Sequence, residues 1–128
     1  MNDRFKFRVW FMPEYDKPRM IYGAEKTYDY MYGEPEIILA DCFGSLLDSK
    51  EYILMQCTGL KDKNGKLIYE GDVVKIIFKS LNQEIIDIVE WDNTSARFIF
   101  EKFGQISMYN YAETWEVIGN IYENKDLL

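Results

Sequence analysis

The chain has 128 residues, 48% of them hydrophobic and 16% aromatic, and its formal charge is −7. That length suits one domain, and so much apolar side chain supports a packed core and excludes a disordered chain. No uninterrupted apolar run exceeds four residues, far short of the roughly 20 that a membrane-spanning helix needs, so no membrane partner is expected.

The charge is unevenly spread: residues 1–20 carry +2, residues 21–60 carry −5, residues 61–80 carry +2 and residues 81–128 carry −6. An acidic field repels phosphate at long range and disfavours sequence-independent nucleic-acid binding. The basic blocks near residues 4–8 and 61–66 keep a nucleic-acid accessory module open as the alternative function. Cys42 and Cys57 sit in apolar surroundings, and the opening MNDRFKFRVW reads as a strand and not as a signal segment. Reduced thiols in a cytoplasm are the corresponding expectation.

Along the chain the hydrophobic period is mostly two. Phe5, Phe7, Val9 and Phe11 alternate with Lys6, Arg8 and Trp10, the pattern of a half-buried strand. EYDKP is turn material, and Pro18 opens a short return strand through Met20 and Tyr22. Residues 23–35 weaken into tyrosines, acids and two glycines and read as loop. EIILA at 36–40 is a short strand candidate, and DCFGSLLDSK at 41–50 is a connection.

From residue 51 the strands come in quick succession. EYILMQC at 51–57 is the first, followed by two reversals, Asn64-Gly65 and Glu70-Gly71-Asp72. Asn-Gly predicts a two-residue hairpin turn with positive φ at both positions. Val73, Val74, Ile76 and Phe78 make the next strand. Residues 84–92 and 96–103 make two more around Asn93-Thr94-Ser95, with Phe98 and Phe100 on one face. QISMYNYAE after Gly104 predicts one or two helical turns. TWEVIGNIY is the last strand, with Trp115, Val117, Gly119 and Ile121 on one face and Gly119 leaving room for a crossing backbone.

The expected fold class is therefore mainly β, with little helix. Closely spaced reversals between short strands are what a small closed barrel requires. The expected architecture is an SH3-like barrel over residues 51–128, with an N-terminal β-element and variable loop region over 1–50 packed on it as one compact unit.

Chemistry is sparse. The chain has no histidine, so neither a Ser/His nor a Cys/His relay can be assembled, and two cysteines 15 positions apart do not make a zinc site. Asp62-Lys63-Asn64-Gly65 resembles a calcium loop only superficially: its glycine is fourth and lysines flank it. No Gly-rich loop opens a helix to hold phosphate. Cys57 reads as a buried thiol. The expectation is that there are no catalytic residues, no metal and no cofactor: not an enzyme. The most suggestive binding feature is Tyr28, Tyr30 and Tyr32, aromatics at alternate positions able to line an interface.

Three blocks resemble the YopX-like family of phage and prophage proteins: FKFRVWFMPEYDKPRMIY at 5–22, LMQCTGLKDKNGKLIYEGDVVKI at 54–76 and EVIGNIYEN at 116–124. The resemblance implies a β-rich fold with an SH3-type barrel in the C-terminal part, and a phage-encoded protein in the cytoplasm of a bacterial host. It implies no activity and transfers no site residue. The functional expectation is a non-enzymatic interaction module that self-associates as a homo-oligomer or binds a phage or bacterial host protein.

Overall fold

A computed structural model of the chain describes residues 3–25, 50–78, 81–102, 104–105 and 114–128, with backbone alone at 104–105. It divides into two units, one ending at Cys57 and the other beginning at Thr58. The described residues are mainly β, as expected, and helix is confined to single 3-10 turns such as Asp3–Phe5 and Lys125–Leu127.

In the first unit, β1 (Phe7–Phe11) lies between β2 (Arg19–Tyr22) and the start of β3 (Tyr52–Lys61), all antiparallel. Val9 stands opposite Ile21 on one side and Leu54 on the other. The inward row read from the sequence holds: Val9, Phe11, Ile21 and Ala24 form a buried cluster, with Phe7, Tyr52 and Leu54 packed against it. Each such buried aliphatic or aromatic side chain contributes about 1.5–3 kcal/mol.

Two details differ from expectation. Phe5 belongs to the 3-10 turn, outside the strand, and is 52% exposed. The opposite row of β1 is not a solvated face either, because Arg8 is only 1% exposed and its guanidinium lies 5.9 Å from the Tyr22 ring centroid. A flat guanidinium stacks on an aromatic face and tolerates burial that an ammonium resists, which alternation alone cannot reveal.

In the second unit the end of β3 pairs with β4 (Leu67–Tyr69). A strongly curled antiparallel sheet follows in the order β8-β7-β6-β5-β9. Its strands are β5 (Asp72–Phe78), β6 (Gln83–Asp92), β7 (Arg97–Phe100), β8 (Gly104–Gln105) and β9 (Trp115–Asn120). Ile68, Val74, Ile76, Val89, Phe100 and Trp115 fill the curl, with Phe78, Phe98 and Val117 against them. Phe100 meets Trp115 edge-on at 5.3 Å and 90°, the arrangement that the ring quadrupoles favour. This is the barrel-like β-unit that the spacing of strands and reversals implied.

The Asn64-Gly65 reversal is real but of another type. The loop is Lys63–Gly65, closed by the Asp62 N–H donating to Lys66 O at 2.8 Å and the Gly65 N–H donating to Asp62 O at 3.0 Å. Gly65 (φ +80°) is at positive φ and Asn64 is not: a three-residue loop ending in a left-handed glycine, not a two-residue turn. A Cβ built on Gly65 meets nothing within 4 Å, so Gly65→Val costs backbone strain alone. The expected loss is about 1 kcal/mol in urea denaturation, with no change in the slope of the transition.

Two further corrections concern the ends of the sheet. The backbone of Gly104–Gln105 pairs with β7 at Phe100 and Ile99, so Gln105 belongs to a strand and not to the predicted helical turns; residues 106–113 lie outside the described residues. In β9 the register against β5 shifts between Val73 and Val74: Val117 faces Val74 while Gly119 faces Val73. The bulge puts Gly119 on the opposite face from Val117, and the strand ends at Asn120, before Ile121. The strand candidate at 36–40 and the connection at 41–49 also lie outside the described residues.

Candidate functional site

The polar side chains buried in the second unit converge on its chain reversals. Asp62 lies at the turn after β3, and one carboxylate oxygen accepts the N–H groups of Asn64 and Lys66, each at 2.9 Å. The other accepts the N–H of Val117, also at 2.9 Å, 55 residues away on β9. The Lys63 N–H donates to Trp115 O at 2.9 Å. The hairpin turn thus occupies the outer edge of β9 as a surrogate strand, which is how an open edge is protected from pairing elsewhere. Burial on its own pushes the Asp62 carboxyl up, but the amides of Val117, Lys66 and Asn64, with the Lys66 charge, outweigh it and hold the group below its ordinary value. A carboxylate so engaged is poorly suited to take up a proton as a general base.

The second reversal is pinned in the same manner. Asp72, buried, accepts the Tyr69 N–H at 2.8 Å. The Gly71 N–H donates to Val89 O at 2.7 Å, and its carbonyl accepts the Ile121 N–H at 3.0 Å. Asp87, also buried, accepts the Ile88 and Lys102 N–H groups. At the end of β9, Asn120 Oδ1 accepts from the amides of Tyr122 and Glu123, and the Asn120 N–H donates to Asn124 Oδ1 at 3.1 Å. Asp92 caps the β6–β7 turn by accepting from Ser95 and the Thr94 N–H. The Ser95 hydroxyl is the main reason its carboxyl titrates below the ordinary range. The conspicuous motif residues, Asp62, Gly71, Asp72 and Asn120, are committed to backbone closure.

Tyr28, Tyr30 and Tyr32 lie outside the described residues, as does Cys42. Cys57 is a fully buried cysteine. In the basic block at 4–8, Lys6 is paired with Asp3 at 3.0 Å, Arg8 is buried, and Arg4 lies over the Phe5 ring. In the block at 61–66, Lys63 is held by Glu116 at 3.2 Å, which also meets Lys75 at 3.7 Å. Of these cations Lys6, Arg8 and Lys63, already matched or buried, would release few counterions to a phosphate backbone, while Lys61 and Lys66 are exposed. Among the described residues no group of three acidic or cysteine side chains could hold a metal ion, and no helix is long and apolar enough to cross a membrane.

Outward-facing apolar groups are the feature that sequence reading passed over. In the β5–β6 register Val74 stands opposite Asp87 on the core side, which places Ile86, opposite Lys75, and Ile88, opposite Val73, on the outer face. Ile86 is 38% exposed and Leu128 63%. A depression of about 320 Å³ is lined by Ile86, Asp87, Ile88, Glu101, Lys102, Leu127 and Leu128. The signal was there in EIIDIVEW, which is apolar in both alternating rows, where a strand with one wet face is apolar in one.

The solved structure of protein EF1440 from Enterococcus faecalis is 25% identical to this chain with a TM-score of 0.53, the match covering 96% of each chain. That of protein yopX from Bacillus subtilis is 18% identical with a TM-score of 0.49, covering 100% of this chain and 99% of that one. Among curated proteins nothing matches the chain. The family model described as YopX protein matches residues 6–128, and with nearly its whole length accounted for, the chain belongs to the YopX family.

Proposed function

We propose that this YopX family member is a non-enzymatic interaction module, phage- or prophage-encoded and acting in a bacterial cytoplasm, that self-associates or docks on a phage or host protein. One observation carries this reading: the division between buried and exposed side chains in the second unit. Its buried acids and amides hold backbone N–H groups, while large apolar groups such as Ile86 and Leu128 face solvent. Apolar groups in that position lose water when a protein surface covers them, and such patches mark docking sites.

Size-exclusion chromatography with light scattering, on the pure protein and on the tagged protein recovered from host cells, tests this. The expected result is a mass above the monomer, or a stoichiometric complex with a co-purified protein. A clean monomer at high micromolar concentration that brings down no stoichiometric partner contradicts it.

A further inference from the structure

Resting on that reading, we infer that the outer face of β6, with the depression beside it, is the docking surface, and that its occupant is a short apolar protein segment flanked by lysines or arginines. Along the outer row of β6 the order is Glu84, Ile86, Ile88, Glu90, every second residue. Two aliphatic side chains thus sit between two exposed carboxylates about 20 Å apart at the rise of an extended strand. Glu101 adds a third exposed carboxylate at the depression, whose apolar walls are Ile86, Ile88, Leu127 and Leu128 and whose lining is completed by Asp87 and Lys102.

Charge complementarity selects the occupant. Glu84, Glu90 and Glu101 form no ion pair among the described residues. Of the lysines nearby, Lys75 is engaged by Glu116, leaving Lys102 as the one positive side chain lining the depression. The stretch 81–128 carries −6. Such a rim repels nucleic acid, anionic lipid and a second copy of the same face, and attracts a cationic segment. The aliphatic floor then supplies the affinity that charge in water does not. Cations six positions apart on an extended segment match the spacing of Glu84 and Glu90, and apolar residues between them meet Ile86 and Ile88.

The test uses three labelled peptides on the full chain: Lys-Lys-Ile-Val-Ile-Lys-Lys, its counterpart with glutamates for lysines, and its counterpart with Ser-Gly-Ser at the centre. Fluorescence anisotropy measures affinity and amide chemical shifts locate the contact. The first peptide is expected to bind at least tenfold more tightly than either counterpart, with shifts on β6 and residues 125–128. Ile86→Ser is expected to weaken it about tenfold, the loss from one buried aliphatic group. The surface pair Glu84→Gln with Glu90→Gln is expected to weaken it severalfold and flatten its salt dependence; these exposed sites leave the fold intact should Ile86→Ser disturb it. Absence of saturable binding, equal binding of the Ser-Gly-Ser peptide, or shifts confined elsewhere would overturn the assignment. A complex or oligomer from the light-scattering experiment that persists in the Glu84→Gln/Glu90→Gln variant would overturn this surface while leaving the interaction-module reading standing.

Discussion

Asp62→Ala is expected to cost about 3 kcal/mol of stability, and Asp62→Asn about 2 kcal/mol, in equilibrium urea denaturation. The alanine leaves three backbone N–H groups without their acceptor. Those of Asn64 and Lys66 are in an exposed turn and can turn to water, whereas that of Val117 is on β9 and loses the Asp62 carboxylate that it meets across the closure. Asparagine keeps one oxygen but turns an NH2 toward a donor, so it recovers only part of the loss. The pH dependence follows from the depressed titration of this group. Because the folded carboxyl holds its proton less tightly than the unfolded one, whose ordinary value is 3.8, the unfolded chain binds more protons in that range. The contribution of Asp62 is fully present above the ordinary aspartate range and is lost as pH falls through the lower, folded value. The stability gap between wild type and Asp62→Asn is therefore constant from neutral pH down to about pH 5 and narrows below about pH 4. A gap independent of pH through that window contradicts the assignment.

Gly119→Ala is the second large effect, about 2 kcal/mol, with Gly119→Val larger still. Gly119 is not at positive φ, so its backbone would accept a side chain; the obstacle is space. A Cβ there would stand 2.5 Å from Asn124 Oδ1, 2.6 Å from its Cγ and 2.8 Å from its Cβ. Those atoms cannot simply swing aside, because Asn124 is fixed twice, its N–H donating to Asn120 O and its Oδ1 accepting from the Asn120 N–H. Moving it undoes the closing turn after β9. The check is a double-mutant cycle by thermal denaturation: in an Asn124→Gly background, Gly119→Ala is expected to cost less than 1 kcal/mol. An unchanged cost in that background would mean that the glycine is required for another reason.

Much of the fold was legible in the sequence because binary patterning carries it. The inward row of β1, the β6–β7 pair with Phe98 and Phe100, and both reversals between residues 62 and 72 follow from period-two alternation and turn residues. What was not legible depends on side chains reaching across the chain. Asp62 rewrites its own hairpin by bonding Asn64 and Lys66, so the Asn-Gly signal located the turn but named the wrong type. Arg8 is buried with its guanidinium beside the Tyr22 ring. Gly119 makes way for a side chain five positions on, a local contact that resembles any glycine in a strand. The surface was harder still: Tyr28, Tyr30 and Tyr32 drew attention as an aromatic run, whereas Ile86 and Ile88 lie in a strand that is apolar in both alternating rows, and only the register shows one row facing outward.

The resemblance to the family draws much of its strength from residues 54–76 and 116–124, and those are the stretches where Asp62, Gly71, Asp72, Gly119 and Asn120 close the roll. They describe how the chain is held, while recognition is assigned to β6, which lies between them. Amide hydrogen exchange tests that division most directly. Val117, Asn64 and Lys66 are expected to be protected in the wild type, and in Asp62→Asn the Val117 amide is expected to exchange much faster while the amides of Ile86 and Ile88 keep their protection. Equal protection of Val117 in the two proteins would contradict the account.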